Sequence, residues 1–330
     1  MIRLAVGVAL VVLLSACGAS TDSSAPAETS AAGTPSGLSS TSTSPNTTPS
    51  NTSPSSASAT GSSQATSASP SPTFSISVPD LPTATDRGLV TGGDVSWPQC
   101  PRGMGIPSKQ GQGSPMPLDS AEFVILGLTN GPGFTPNPCL ADQVDWVRQR
   151  GLMAAAYSVI SYPYDDQLDR YGDDGPFDGE TTAGRLANVG YQQARFNLRT
   201  MRRAGLTSPI IWLDVETVPG FDWPRGSEAI GGNQAVLRGA VRGYRQAGLQ
   251  PGVYSIPSSW QAIVGDLNLG LPEWRPAGSA GRAEALRRCG SDWDVQGGAP
   301  VLVQWVEDGR DRDVTCPGES TYLTAWFHQY

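Results

Sequence analysis

The segment Trp212-Leu213-Asp214-Val215-Glu216 sets two carboxylates two residues apart at the close of an apolar run, Pro209-Ile210-Ile211. That run reads as a buried strand, and side chains alternate between the faces of a strand, so Asp214 and Glu216 leave its end on the same side. Two carboxylates at one mouth can divide their labour. The more buried one keeps a proton to donate while the other stays ionised, the arrangement that cleavage of a glycosidic bond needs. Other chemistries find less support. His328 is the only histidine and stands third from the end of the chain, where an aromatic packs or faces solvent more often than it serves a Ser or Cys nucleophile. Gly103-Met104-Gly105 lacks the following Lys-Ser/Thr and the strand-to-helix setting of a phosphate-cradling loop. No nucleotide or other cofactor is expected, and no metal, because the cysteine spacing is wrong for zinc and histidine is nearly absent.

The elements that must position these acids alternate along residues 87–330. Gly93–Trp97, Phe123–Leu128, Leu152–Ile160, Ser208–Glu216, Gly252–Ile256 and Val301–Val306 read as strands, with a weaker candidate at Glu273–Ala277. Asn137–Arg150, Thr181–Ala204 and Asn233–Ala247 carry helical spacing, the last two stopped by Gly205 and Gly248. Repeated βα units over about 245 residues favour a parallel α/β barrel, in which chemistry sits at the carboxyl ends of the strands. Asp94, Asp214, Glu216, Tyr254 and Trp305 fall at or near such ends. Aromatic residues gather there too: Trp97, Tyr157, Tyr162, Tyr164, Trp212, Tyr254, Trp260, Trp274 and Trp305. In a sugar-binding groove such rings stack on pyranose faces, although Trp212, inside an apolar run, reads better as core. The acidic stretch Tyr162–Glu180 is too charged for a core and is expected to form a solvated loop beside the groove.

The N-terminal residues 1–17 carry Arg3 and then the apolar segment Leu4–Leu14, 11 residues long, too short for a bilayer that needs about 20. They read as a secretory signal ending in Leu14-Ser15-Ala16-Cys17, which resembles the bacterial lipobox. Cys17 would then be acylated, and two or three acyl chains hold a protein at a membrane where one does not. Residues 18–86 are nearly all Ser, Thr, Ala, Pro and Gly, and before Asp86 only Asp22, Glu28 and Asp80 are charged. Such a composition cannot bury enough apolar surface to offset chain entropy, so a disordered tether is expected, with a root-mean-square span of roughly 45 to 50 Å. The reading is of an exported bacterial membrane lipoprotein facing the cell wall.

With 30 acidic against 22 basic residues and a net charge of −8, the chain is a poor partner for nucleic acid, which wants clustered Lys and Arg. Lys109 is the only lysine. Beyond Cys17 there are four cysteines, Cys100, Cys139, Cys289 and Cys316, an even number in an exported protein, so two disulfides are expected. Proximity favours Cys100 with Cys139 and Cys289 with Cys316 among the three possible pairings.

The ordered set Gly93-Asp94-Val95-Ser96, Phe123-Val124-Ile125, Gln193-Ala194 with Phe196, Leu213-Asp214-Val215-Glu216, Tyr254-Ser255 with Trp260, and Gln304-Trp305 resembles the lysozymes of glycoside hydrolase family 25 across Gly92–Cys316. The resemblance implies a modified (β/α) TIM-like barrel that hydrolyses the β-1,4 bond between N-acetylmuramic acid and N-acetylglucosamine in peptidoglycan. By position it makes Glu216 the general acid, and Asp214 and Asp94 the paired active-site aspartates. A later aspartate of the pattern is Asp311 or Asp313. Asp313 joins Tyr157, Tyr254 and Trp305 as the expected substrate-binding set. The chain departs from the pattern at Trp97-Pro98-Gln99-Cys100, where a polar or His-containing step is usual, and in its acidic insert.

On this reading Asp214 orients the 2-acetamido group of the substrate, whose carbonyl attacks the anomeric carbon, and Asp94 stabilises the developing positive charge. The expectation is a monomeric, membrane-tethered glycoside hydrolase acting on peptidoglycan or a related N-acetylated glycan. The alternative is a catalytically silent lipoprotein that binds wall glycan or protein.

Overall fold

The computed structural model describes residues 86–217 and 223–330. The expected signal peptide, the lipobox with Cys17 and the tether lie outside them. Eight strands form a closed barrel: β1 (Thr91–Val95), β2 (Phe123–Gly127), β3 (Met153–Val159), β4 (Ile210–Asp214), β5 (Gln250–Tyr254), β6 (Glu273–Pro276), β7 (Pro300–Glu307) and β8 (Arg310–Thr315). Strands β1 to β7 pair in parallel with their sequence neighbours. Strand β8 runs antiparallel to both β7 and β1 and closes the ring. The fold is therefore a modified TIM-like barrel, with its modification at the last strand.

That modification has a local cause. Asp308 and Gly309 connect β7 to β8, with φ of 52° and 69°. Two successive left-handed residues make the two-residue hairpin turn that Asp-Gly favours, and no helix intervenes. The connection from β1 to β2 has no α-helix, only a 3-10 turn at Trp97–Gln99 and a short hairpin, whereas the crossovers from β2 to β7 are helical: α1 (Leu140–Gln149), α2 (Asp165–Tyr171), α3 (Thr182–Arg203), α4 (Ser227–Gln246), α5 (Pro257–Val264) and α6 (Gly281–Arg287). The acidic insert, expected as a loop, contains α2. Asp165 and Asp166 stand in its first turn, where carboxylates suit the helix dipole. Arg185 of α3 reaches Asp169 at 3.7 Å and Asp173 at 3.4 Å, and buried Asn188 ties the insert to α3 through Gly172 and Phe177.

Alternation along the strands sorts the apolar residues into two layers. One face, with Val124, Leu126, Ala154, Ala156, Ile211, Leu213 and Val253, packs against the helices. The other, with Phe123, Ile125, Met153, Ala155, Ile210, Trp212, Trp274 and Leu302, fills the barrel. Large interior rings need small neighbours: a Cβ on Gly252 would lie 2.4 Å from Trp212, and one on Gly127 2.8 Å from the Tyr157 ring. Glycine at those two places lets the indole and the phenol cross the lumen. The chain end closes the opposite, amino-terminal mouth. Phe327 stacks on Phe123 with ring centroids 4.3 Å apart, and His328 pairs with Ala154 at the start of β3.

The loop after β1 is pinned to the start of α1 by a disulfide between Cys100 and Cys139, and β8 is pinned to the region following α6 by one between Cys289 and Cys316. Both are the pairings that proximity favours. Between them the first loop carries a short hairpin, Gly105–Ile106 against Lys109–Gln110.

Candidate active site

Asp94 is the fourth residue of β1, Asp214 the last of β4, and Glu216 follows two residues later. All three stand at the carboxyl-terminal mouth. Asp311, on β8, is the register partner of Asp94, so the antiparallel strand delivers a fourth carboxylate to the same rim. Asp94 and Asp214 are 7% and 5% exposed, whereas Glu216 and Asp311 are only partly covered. Burial, and after it the charges of Glu216, Asp214, Asp94 and Asp311, hold the Tyr254 hydroxyl well above its ordinary range.

Burial is the main cause of every carboxyl shift here, and like charge adds to most of them. Asp94 is pushed well up by burial and then by Asp311 and Asp313. Asp214 is pushed well up by burial and by Glu216, with Lys109 opposing. Glu216 rises to about 7, again through burial, with Lys109 opposing and Asp311 adding. Asp311 rises to about 6 through burial. Asp214, not Glu216, is the more buried of the pair, so burial alone does not pick the donor; a carboxyl near 7 at a partly open mouth is about half protonated at neutral pH and can pass its proton on, which suits a general acid.

Beneath the rim run two short sets of hydrogen bonds. The Tyr254 hydroxyl donates to Gln304 Oε1 at 2.8 Å, and Gln304 Nε2 donates to Asp94 Oδ2 at 2.6 Å. Trp274 Nε1 donates to Asp313 Oδ1 at 2.8 Å. Asp313 Oδ2 is buried with no hydrogen-bond partner among the described residues. Asp313 rises to about 8, through burial first, with the Asp311 charge adding and the Trp274 bond opposing. Asp214 Oδ1 is likewise buried with no hydrogen-bond partner among the described residues. An acceptor so placed is suited to an N–H donor brought by a substrate.

Two expected substrate contacts need correction. Asp313 is 0% exposed, because it pairs with Gly92 one pleat below Asp94 and Asp311, where no ligand in the mouth reaches it. The aspartate at the rim is Asp311. Trp305 is 1% exposed and belongs to the outer cluster of Ala277, Ala285, Val303, Val314 and Cys316, with Arg312 over its ring. The strand period decides this: Gln304 faces the lumen, so Trp305 beside it faces away. Tyr157 and Tyr254 do face the lumen, against Trp274 at 5.9 and 4.5 Å. Burial and the Asp94 charge hold the Tyr157 hydroxyl well above its ordinary range, so it stays a neutral donor.

Gln304 and Lys109 are site residues to which the sequence reading gave no role, and Asp311 is the alternative it left open beside Asp313. The Asp308-Gly309 dipeptide was the available signal for Asp311 and Gln304, since a hairpin there fixes which residues face inward. No signal in the sequence brings Lys109 near. Among the described residues no group of His, Cys, Asp and Glu is arranged to hold a metal ion.

No protein-family model matches this sequence. No curated protein matches it either. Among solved structures the chain is similar to a family GH25 lysozyme from Aspergillus fumigatus, with 17% identity and a TM-score of 0.45 over 72% of this chain and 99% of that one. It is similar to a muramidase from Trichobolus zukalii, with 17% identity and a TM-score of 0.44 over 72% and 98% of the two chains. It is also similar to a bacterial lysozyme from Streptomyces coelicolor, with 14% identity and a TM-score of 0.44 over 72% and 96%.

Proposed function

We propose that this protein is a glycoside hydrolase that cleaves the glycan strands of peptidoglycan by carboxylate acid catalysis with assistance from the substrate acetamido group. The observation that carries the reading is the ring of Asp94, Asp214, Glu216 and Asp311 around one barrel mouth, with Glu216 brought to about 7. Glu216 protonates the leaving oxygen. Asp214, whose Oδ1 lacks a protein donor among the described residues, accepts the acetamido N–H and turns its carbonyl toward the anomeric carbon. The carbonyl oxygen then bonds to that carbon as the glycosidic bond breaks, and water later opens the cyclic intermediate. Asp94, steadied by Gln304, supports the positive charge that develops on the sugar.

The same proposal includes an exported, membrane-anchored protein, acylated at Cys17 and reaching the wall through residues 18–86. The test is to incubate the purified protein with peptidoglycan and measure new reducing ends, with Glu216→Gln as control. New muramic-acid reducing ends from the wild type alone support the reading. Sedimentation of both proteins with the wall, without release by either, returns the silent glycan-binding alternative.

A further inference from the structure

Helices α3 and α4 carry eight arginines and a single carboxylate, Glu228 in the first turn of α4, in a chain whose net charge is −8. Arg195, Arg199 and Arg202 follow one another at i, i+4 and i+7 on α3, and Arg238, Arg242 and Arg245 repeat that spacing on α4. Each set is therefore a row along one helix face. The rows are neighbours, because the helices meet backbone to backbone: a Cβ on Gly190 would fall 1.9 Å from the Val236 carbonyl oxygen, and one on Gly239 1.9 Å from that of Ala187. Five of the six arginines are exposed and Arg199 is half-buried. Arg185, nearer the acidic insert, pairs with Asp169 and Asp173, whereas none of the six forms an ion pair among the described residues. Arg242 lies 5.0 Å from the Phe177 ring centroid and Arg195 6.0 Å from that of Tyr191, contacts that seat a guanidinium without cancelling its charge. Helix dipoles account for Arg202 and Arg245 in the last turns, but not for the four arginines that precede them. Arg238, Arg242 and Arg245, with Val241, Gln246 and Leu269, line a cleft of about 490 Å³.

We propose that this face binds a linear, phosphate-bearing polyanion, with its phosphates on the two arginine rows and its chain in the cleft. A guanidinium presents a planar fork of donors that matches two phosphate oxygens. Seven residues of helix rise about 10 Å, so a chain laid along either row meets three such forks over that length. The acidic balance of the rest of the molecule repels a polyanion and confines it to this face. A flat bilayer does not enter a cleft, and among the described residues none of the exposed large apolar side chains that could anchor in lipid stands on α3 or α4. The rows occupy the carboxyl-terminal halves of helices that lead into the amino-terminal ends of β4 and β5. A chain held there leaves the mouth with Asp214 and Glu216 open, so the face is a second attachment point that does not depend on the hydrolase reading.

The test measures binding of the purified full chain to fluorescently labelled linear polyphosphate, by anisotropy, between about 50 and 200 mM salt. Wild type is compared with the combined variant Arg238→Gln, Arg242→Gln and Arg245→Gln, with the combined variant Arg195→Gln, Arg199→Gln and Arg202→Gln, and with Arg150→Gln on α1 as a control. Two variants on separate helices, checked by circular dichroism, guard against one failing to fold. Each combined variant should bind at least about tenfold more weakly, and its slope of log K against log salt should be shallower by about two, since three phosphate contacts are lost. Arg150→Gln should change neither. No binding by the wild type at the lowest salt, undiminished binding by both combined variants, or an equal loss in Arg150→Gln overturns the proposal. Sedimentation with vesicles of phosphatidylcholine, alone or with an equal part of phosphatidylglycerol, separates the other occupant. Association that needs both the phosphatidylglycerol and the arginines, with polyphosphate unbound, gives the face to a bilayer and overturns the proposal as well.

Discussion

Replacing Asp313 by asparagine tests the buried proton directly. In the folded protein burial lifts Asp313 from its ordinary 3.8 to about 8. The folded state therefore binds one more proton at this site than the unfolded state between those two values. The sign follows from linkage: the contribution is fully present below pH 3.8 and is lost as pH rises toward 8. One extra bound proton is a slope of about 1.4 kcal/mol per pH unit, so Asp313 alone removes about 3 kcal/mol between pH 5 and pH 7. Asp94, Asp214, Glu216 and Asp311 shift in the same direction and steepen the wild-type decline further. Asparagine cannot ionise, keeps an oxygen for Trp274 Nε1, and offers an amide N–H to Asp94. Urea unfolding at pH 5, 6 and 7, followed by tryptophan fluorescence, gives the two slopes. The variant is expected to lose stability less steeply than wild type by about 1.4 kcal/mol per unit. Equal slopes would mean that Asp313 is ionised throughout.

Trp305→Ala is expected to cost about 4 kcal/mol of stability, as truncation of a buried indole does, with KM for glycan unchanged in the protein that remains folded; a raised KM would return the indole to the sugar site. Replacing Cys100 and Cys139 together by serine opens a loop of 39 residues and is expected to cost up to about 4 kcal/mol in thermal or urea unfolding.

The barrel was legible because its strands follow simple rules. Ile210–Leu213 is apolar throughout and is followed by Asp214 and Glu216, two residues apart, and Thr182–Arg203 carries long helical spacing with a glycine stop. Strand β6 was harder to read for a physical reason. Glu273 and Arg275 point outward yet are 0% and 2% exposed, because they pair at 2.7 Å beneath the segment after α6, so polar letters stand at buried positions. Strand β8 escaped through its sequence, Arg310-Asp311-Arg312-Asp313, which reads as solvated charge. It forms a strand because its aspartates turn into a polar lumen while Arg312 lies over Trp305 and pairs with Glu307 at 2.6 Å. The two misplaced contacts, Asp313 and Trp305, share one origin. Without the hairpin register, neither depth nor facing can be assigned on the last two strands. Lys109 was hidden for another reason, since its position depends on a loop whose path is set by Asn130 and a disulfide.

The measurement closest to the central claim compares Glu216→Gln with wild type on aryl glycosides of an N-acetylated sugar whose leaving groups differ in acidity. A leaving group that departs poorly needs a proton, and one that departs readily, such as dinitrophenolate, does not. On the poorest leaving group the variant should lose on the order of 10²- to 10⁴-fold in kcat/KM. On dinitrophenolate the loss should shrink to within about tenfold, while Asp214→Asn remains impaired on both. An equal loss for Glu216→Gln at every leaving group would contradict the assignment of Glu216 as the proton donor.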